Sequence, residues 1–177
     1  RNRIMNDVTG KVAIVPVGAS DIGRTSSILL ATSKPSVVVT DIDENAAAET
    51  AEKIKRNSDQ AVSIHQDVVD ESRWQEVIDT ANSAFGALNI LVNNAGLSGA
   101  EIDSHAAGDL ASWRRVMEVN LDAVYLGCCA AVAAMRKDGG SIVNISSIYG
   151  IVGGAGPGYN ASKGTCAVTD QVCRLAL

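Results

Sequence analysis

Short apolar runs alternate with amphipathic stretches along most of the chain. Residues 11–17 (Lys-Val-Ala-Ile-Val-Pro-Val) are β-branched and followed by Gly18, which predicts a buried strand. Residues 22–32 have helical length, with Ile28, Leu29 and Leu30 apolar. A second strand is predicted at 37–41, after a break at Pro35, and an exposed Ala/Glu/Lys-rich helix at 44–55. Alternation predicts a third strand at 61–66. Trp74, Val77, Ile78 and Phe85 at helical spacing predict an amphipathic helix at 71–85. A fourth strand follows at 88–92, then a long helical region at 110–135 with an interruption near Asn120. A fifth strand at 141–145 and a Gly-rich loop at 150–158 lead into a last helix from about Tyr159, expected to run to the end of the chain.

Strand and helix alternate five times, and the strands are nearly continuous apolar runs. That pattern predicts an α/β fold: a doubly wound, Rossmann-like parallel sheet with helices on both faces. Residues 1–177 are read as one dinucleotide-binding and catalytic domain. Ligands of such sheets bind beyond the carboxyl ends of the strands. Gly18 to Gly23, Asp41, Asp67, Asn93 to Gly96, Ser146 and Ser147 all follow a predicted strand.

Composition narrows the functional classes. The chain is 46% hydrophobic and 20% charged, in the globular range, and its 3% aromatic content predicts an aliphatic core. A net charge of −5 without a basic cluster argues against nucleic acid or an anionic membrane as partner. No apolar run is expected to approach the roughly 18 residues of a membrane span, and the first nine residues lack a signal-peptide stretch. A cytoplasmic location is therefore expected, with Cys128, Cys129, Cys166 and Cys173 as free thiols. These cysteines form no C-x-x-C pair, and His65 and His105 are isolated, so no metal site is expected.

The strand–loop–helix from Lys11 to Ala31 is suited to a dinucleotide pyrophosphate, which backbone N–H groups and a helix N-terminus attract. Asp41 ends the second strand 18 residues after Gly23. That is near the ~20-residue offset at which an acid bonds the adenosine ribose. A carboxylate there favours NAD and repels the additional phosphate of NADP. Tyr159 and Lys163 are four residues apart and share a helix face. An ammonium near a phenol favours phenolate, which suits a general base near neutral pH. Ser147, at a strand end, can donate to the same substrate oxygen.

Gly10-Lys-Val-Ala-Ile-Val15, Gly18-Ala-Ser-Asp-Ile-Gly23, Asp67-Val68, Asn93-Asn-Ala-Gly96, Asn120, Asn144-Ile-Ser-Ser147 and Tyr159-Asn-Ala-Ser-Lys163 occur in that order. In these motifs the chain resembles the short-chain dehydrogenase/reductase family. The resemblance implies an NAD-dependent interconversion of a secondary alcohol and a ketone. Tyr159 would be the general acid/base, Lys163 would bond the nicotinamide ribose, Ser147 would hold the substrate oxygen, and Asn120 would support a water relay to Lys163. Gly18, Ser20, Ile22 and Gly23 would carry the pyrophosphate, and Asp41 the adenosine ribose. Asp67 and Val68 would flank the adenine, while Asn94, Ala95 and Gly96 would line the channel. Small-molecule alcohols and a homodimer or homotetramer are the implied partners.

The chain departs from the family pattern in the Gly-rich loop. Pro16 and Val17 stand where Thr-Gly is usual, Asp21 replaces the middle glycine, and Lys34-Pro35 replaces a glycine-containing turn. The altered loop is expected to weaken cofactor binding. Ser147 lies 12 residues before Tyr159, one fewer than usual, with Ser146 as the alternative. Relative to the family, the C-terminal substrate-covering part is expected to be absent after the fifth strand and its helix. A non-catalytic Rossmann-fold binding or scaffold protein is the alternative reading. A sugar-nucleotide epimerase or dehydratase on the same fold fits the Asn-Asn-Ala-Gly motif less well.

Overall fold

The computed structural model describes residues 7–57, 59–98, 109–168 and 173–175. In chain order the first half comprises β1 (Val12–Pro16), α1 (Asp21–Thr32), β2 (Ser36–Asp41), α2 (Glu44–Arg56), β3 (Ala61–His65), α3 (Glu71–Phe85) and β4 (Ile90–Asn93). Then come α4 (Leu110–Met117), a π-helical turn (Glu118–Asp122), α5 (Ala123–Met135) and β5 (Gly140–Asn144). A 3-10 turn (Ile148–Gly150), α6 (Pro157–Val168) and β6 (Cys173–Leu175) follow. The sheet order is β3-β2-β1-β4-β5-β6, and the first five strands are parallel.

All five residues of β1 are buried because alternate side chains enter two separate cores. Val12 and Ile14 join Val38, Leu91, Trp74, Val77 and Met135 on one face. Ala13 and Val15 join Val37, Val39, Ala47 and Ile54 on the other. Each fully buried Val, Leu or Ile contributes about 1.5–3 kcal/mol, so a polar side chain at Ile14 would break the centre of the molecule. Aspartates start three helices: Asp43, Asp70 and Asp109 accept from the backbone N–H groups of Ala46, Ser72 and Ser112. The strand order turns back between β1 and β4, which opens the crevice at the strands' carboxyl ends.

Two features differ from the sequence reading, and a third, the interruption near Asn120, agrees with it. The last helix ends at Val168, and residues 173–175 form β6, antiparallel to β5. This pairing covers backbone groups that the edge of β5 would otherwise expose. An 18-residue window of the 26-residue stretch Leu110–Met135 reaches a mean hydropathy of 1.5, long and apolar enough by composition to cross a membrane. Here it is a core helix: Val116, Val119, Ala123, Val124, Ala131 and Met135 are buried. The interruption near Asn120 is a π-helical turn, which places Asn120 in full burial.

The replaced glycines leave a backbone signature. Val17, Asp21 and Lys34 have φ of 50°, 43° and 72°, the non-glycine residues in the left-handed region among those described. They are the positions where the sequence departs from the family's glycines. An L-residue there costs about 1–2 kcal/mol, and a β-branched one such as Val17 is a genuine outlier. The loop holds left-handed backbone at positions that lack the residue that adopts it most easily. Most of the loop between β4 and α4, with His105, and the side chains of Cys166 and Cys173 lie outside the described residues.

Candidate active site

A cleft of about 340 Å³ opens above the sheet, lined by Val17 after β1, Asn94 after β4, Ile145 and Ser146 after β5, and Tyr159 and Lys163 of α6. Ser20, Asp21, Ile22, Gly96 and Ser98 complete its wall. The first turn of α1 faces it without a capping side chain: Ser20 occupies the cap position but makes no cap hydrogen bond. The turn's N–H groups therefore present a positive pole to the cleft. Asn94 donates to the carbonyls of Pro16 and Val17 at 3.4 and 3.3 Å and ties the loop to β4. Gly23 packs so closely that a Cβ there would lie 1.9 Å from the Val17 carbonyl oxygen. No other residue fits that position.

Lys163 is only 3% exposed, yet it lines the cleft. It donates to the Ile145 carbonyl at 2.8 Å and stands 5.9 Å from the Tyr159 ring centroid. Asn120 accepts from the Leu97 N–H at 2.7 Å and donates to the Leu97 carbonyl at 3.0 Å and to Ser162 Oγ at 2.9 Å. These bonds clamp the π turn, the strand end after β4 and α6 together. Gly96 sits at their meeting point: a Cβ there would lie 3.4 Å from Lys163 Nζ and 3.5 Å from Asn120 Oδ1.

The structure puts Ser146, not Ser147, on the cleft wall. Ser146 Oγ donates to the Lys163 carbonyl at 3.2 Å, while Ser147 Oγ accepts from the Tyr149 N–H and starts the 3-10 turn. Ser147 has extended backbone, with φ −152° and ψ 154°, and its side chain turns to the 3-10 turn rather than to the cleft. Counting from Ser146, the alternative named from sequence, the interval to Tyr159 is 13 residues.

The other residues named from sequence divide in two. Asp41 is buried and receives the N–H groups of Ala19 at 3.2 Å and Asp43 at 3.0 Å, so its carboxylate braces the loop from below. Gly18 lies beneath the loop, where a Cβ would come within 2.8 Å of the Val15 carbonyl oxygen. Val68 and Ala95 line a separate void of about 10 Å³ with Trp74, whose indole donates to the Val68 carbonyl at 2.9 Å. Asp67 is half-buried and caps the Val69 N–H at 3.2 Å. Two contributors escaped the sequence reading. The Ile145 carbonyl is a backbone group without a sequence signal. Ser162 lies inside the Tyr-x-x-x-Lys motif, where a buried hydroxyl between the two could have been noted.

Residues 11–175 match the family model described as short chain dehydrogenase. The chain belongs to the short-chain dehydrogenase family. It is 35% identical over 175 residues to a cyclopentanol dehydrogenase of Comamonas sp. (strain NCIMB 9872), covering 98% of this chain and 69% of that protein. It is 42% identical over 158 residues to a 3-alpha-(or 20-beta)-hydroxysteroid dehydrogenase of Mycobacterium tuberculosis (strain ATCC 25618 / H37Rv), covering 87% and 58%. A trans-4-hydroxycyclohexanecarboxylate dehydrogenase of Sinomonas cyclohexanicum is 38% identical over 160 residues, with 86% and 60% covered. This short-chain dehydrogenase thus spans between 58% and 69% of the length of these relatives.

Proposed function

We propose that the protein is an NAD-dependent oxidoreductase that interconverts a secondary alcohol and a ketone. The observation that carries this reading is the convergence of Tyr159, Lys163, Ser146 and the uncapped first turn of α1 on one cleft. The residues present fit a dinucleotide. The α1 N-terminus and Ser20 suit the pyrophosphate and Lys163 the nicotinamide ribose, while Asp41, beneath the loop with each oxygen already accepting one backbone N–H, would offer its remaining lone pairs to the adenosine ribose. The Asp41 carboxylate favours NAD over NADP by repulsion of a 2′-phosphate. Bound there, the nicotinamide supplies the acceptor and donor of hydride.

The protein's own share is proton handling and positioning. In oxidation Tyr159 accepts the alcohol's hydroxyl proton, and in reduction it returns one to the carbonyl oxygen. Ser146 donates a hydrogen bond to that oxygen and fixes it against the phenol. The Lys163 ammonium, held by the Ile145 carbonyl, supports negative charge on Tyr159. Asn120 keeps the joint between the π turn and α6 rigid, next to the path by which protons leave Lys163. The named relatives act on alicyclic and steroid alcohols, which makes an apolar ring alcohol the proposed substrate class. Leu110, Trp113 and Tyr125 are exposed on the long helix and supply the face for a homodimer or homotetramer, which light scattering would reveal.

Cyclopentanol deuterated at the carbinol carbon tests the reaction. Incubated with NAD, the protein is expected to yield NADH heavier by one mass unit. Unlabelled NADH would place the hydride source elsewhere than the carbinol carbon and overturns the proposed reaction; no NADH across a panel of C5 to C8 alicyclic alcohols overturns it in favour of a non-catalytic binding protein.

A further inference from the structure

The segment after Ser146 is fastened to α6 in a way that the proposed chemistry does not use. Tyr149, in the 3-10 turn, meets the Tyr159 ring edge-to-face, with centroids 6.3 Å apart and planes at 69°. Tyr149 is itself held from two sides. Its N–H is received by Ser147 Oγ at 3.2 Å. Gly154, at φ 151°, lies against its ring so closely that a Cβ would come within 2.7 Å of Cε1. The next residue, Gly150, rests on the Lys163 backbone, where a Cβ would lie 2.5 Å from the carbonyl oxygen. Asn160, between Tyr159 and Lys163 in sequence, binds the far end of the loop: Nδ2 donates to the Val152 carbonyl at 2.9 Å and Oδ1 accepts from Ala155 N–H at 3.2 Å.

We propose that Tyr149 is a positioning residue for the Tyr159 phenol, with Ser147 and Gly154 setting Tyr149 in turn. Tyr159 is half-buried, and a half-buried phenol on a helix retains rotamer freedom unless packing removes it. The Tyr149 ring supplies that packing on the loop side. Edge-to-face pairs favour one mutual orientation, so the contact selects among Tyr159 rotamers rather than merely filling space. This gives the second serine of the Asn-Ile-Ser-Ser stretch a place in the reaction without contact with the substrate. The inference rests on Tyr159 being the acid/base of the proposed reaction.

The test is steady-state oxidation of the alcohol that the wild type turns over fastest, with NADH titration alongside. Tyr149→Ala is expected to lower kcat about 5–10-fold, the rate equivalent of losing one aromatic pair, with the NADH Kd and the alcohol KM unchanged. Tyr149→Phe keeps the ring and should restore kcat to near the wild-type value. Gly154→Ala, which pushes into the Tyr149 ring, should lower kcat in the same direction, whereas Gly153→Ala, with open space around it, should not. An unchanged kcat in Tyr149→Ala, or a raised alcohol KM with kcat intact, overturns the proposal; the latter would make Tyr149 a substrate wall. Failure of the underlying reading shows separately, as a wild type without turnover or a fully active Tyr159→Phe.

Discussion

The Lys163 ammonium donates to the backbone carbonyl of Ile145 across 2.8 Å, which fixes a buried cation at the end of β5. A lysine stem free to swing would not keep its charge beside a particular phenol. Replacing Lys163 with Met removes the charge and leaves the Ile145 carbonyl without this donor. Turnover should fall at least about 100-fold, the low end for losing general acid–base support, and NADH should bind more weakly. Kinetics and NADH titration on the purified variant check both outcomes.

Val17 and Asp21 shape the loop in different ways, and their variants should behave differently. Asp21 lines the cleft next to the proposed phosphates. Asp21→Asn removes the charge while Asn still tolerates the left-handed backbone, so NADH affinity should rise about fivefold, worth about 1 kcal/mol. Val17→Gly relieves about 1–2 kcal/mol of backbone strain but loses about 0.5–1 kcal/mol to chain entropy and some packing of a half-buried side chain. Its melting temperature should therefore stay close to that of the wild type. NADH affinity should still increase, because a glycine lets the phosphates approach the backbone.

Asn120→Ala removes three hydrogen bonds from a fully buried position. The loss of the partners' hydrogen bonds should destabilise the fold by about 2–3 kcal/mol, measurable as a lower urea midpoint at unchanged slope. Asn120→Asp retains an acceptor for the Leu97 N–H but not the two donors, so it should fall between the wild type and the alanine variant.

Acid should weaken two helix starts together. Ser72 donates to Asp70 from its hydroxyl and backbone N–H, and the Ser112 backbone N–H donates to Asp109, which holds both carboxyls below the usual carboxylate range. A carboxyl whose folded value is depressed contributes fully above its unfolded value and loses that contribution as pH falls through the folded one. Stability from the caps should be flat above about pH 5 and decline below about pH 4. Thermal melts across that window should show a shallower acid limb in an Asp70→Asn, Asp109→Asn double variant.

Much of the sheet was legible because the central strands β1, β2 and β4 are buried on both faces and so are written as nearly unbroken apolar runs, while the half-buried β3 shows as alternation. The helix α3 was readable to its ends: Asp70 caps it and Gly86, at φ 97°, stops it. The interruption at Asn120 was legible because a polar residue inside an apolar helix needs a local reason. Ser146 and Ser147 were harder to separate, since two adjacent hydroxyls differ only in where each side chain turns. The β6 strand was not legible: three residues carry too little pattern, and their pairing depends on an open edge elsewhere in the fold. The strain at Val17, Asp21 and Lys34 became visible only as backbone angles, although the sequence had already marked each as a missing glycine.

The most direct measurement pairs NADH fluorescence titration with turnover in the wild type and in Tyr159→Phe. The expected result is saturable NADH binding of similar affinity in both proteins, with alcohol oxidation lost only in the variant. Equal turnover in the two, or no saturable binding in the wild type at millimolar NADH, would contradict a phenol and an amine acting together over a bound nicotinamide.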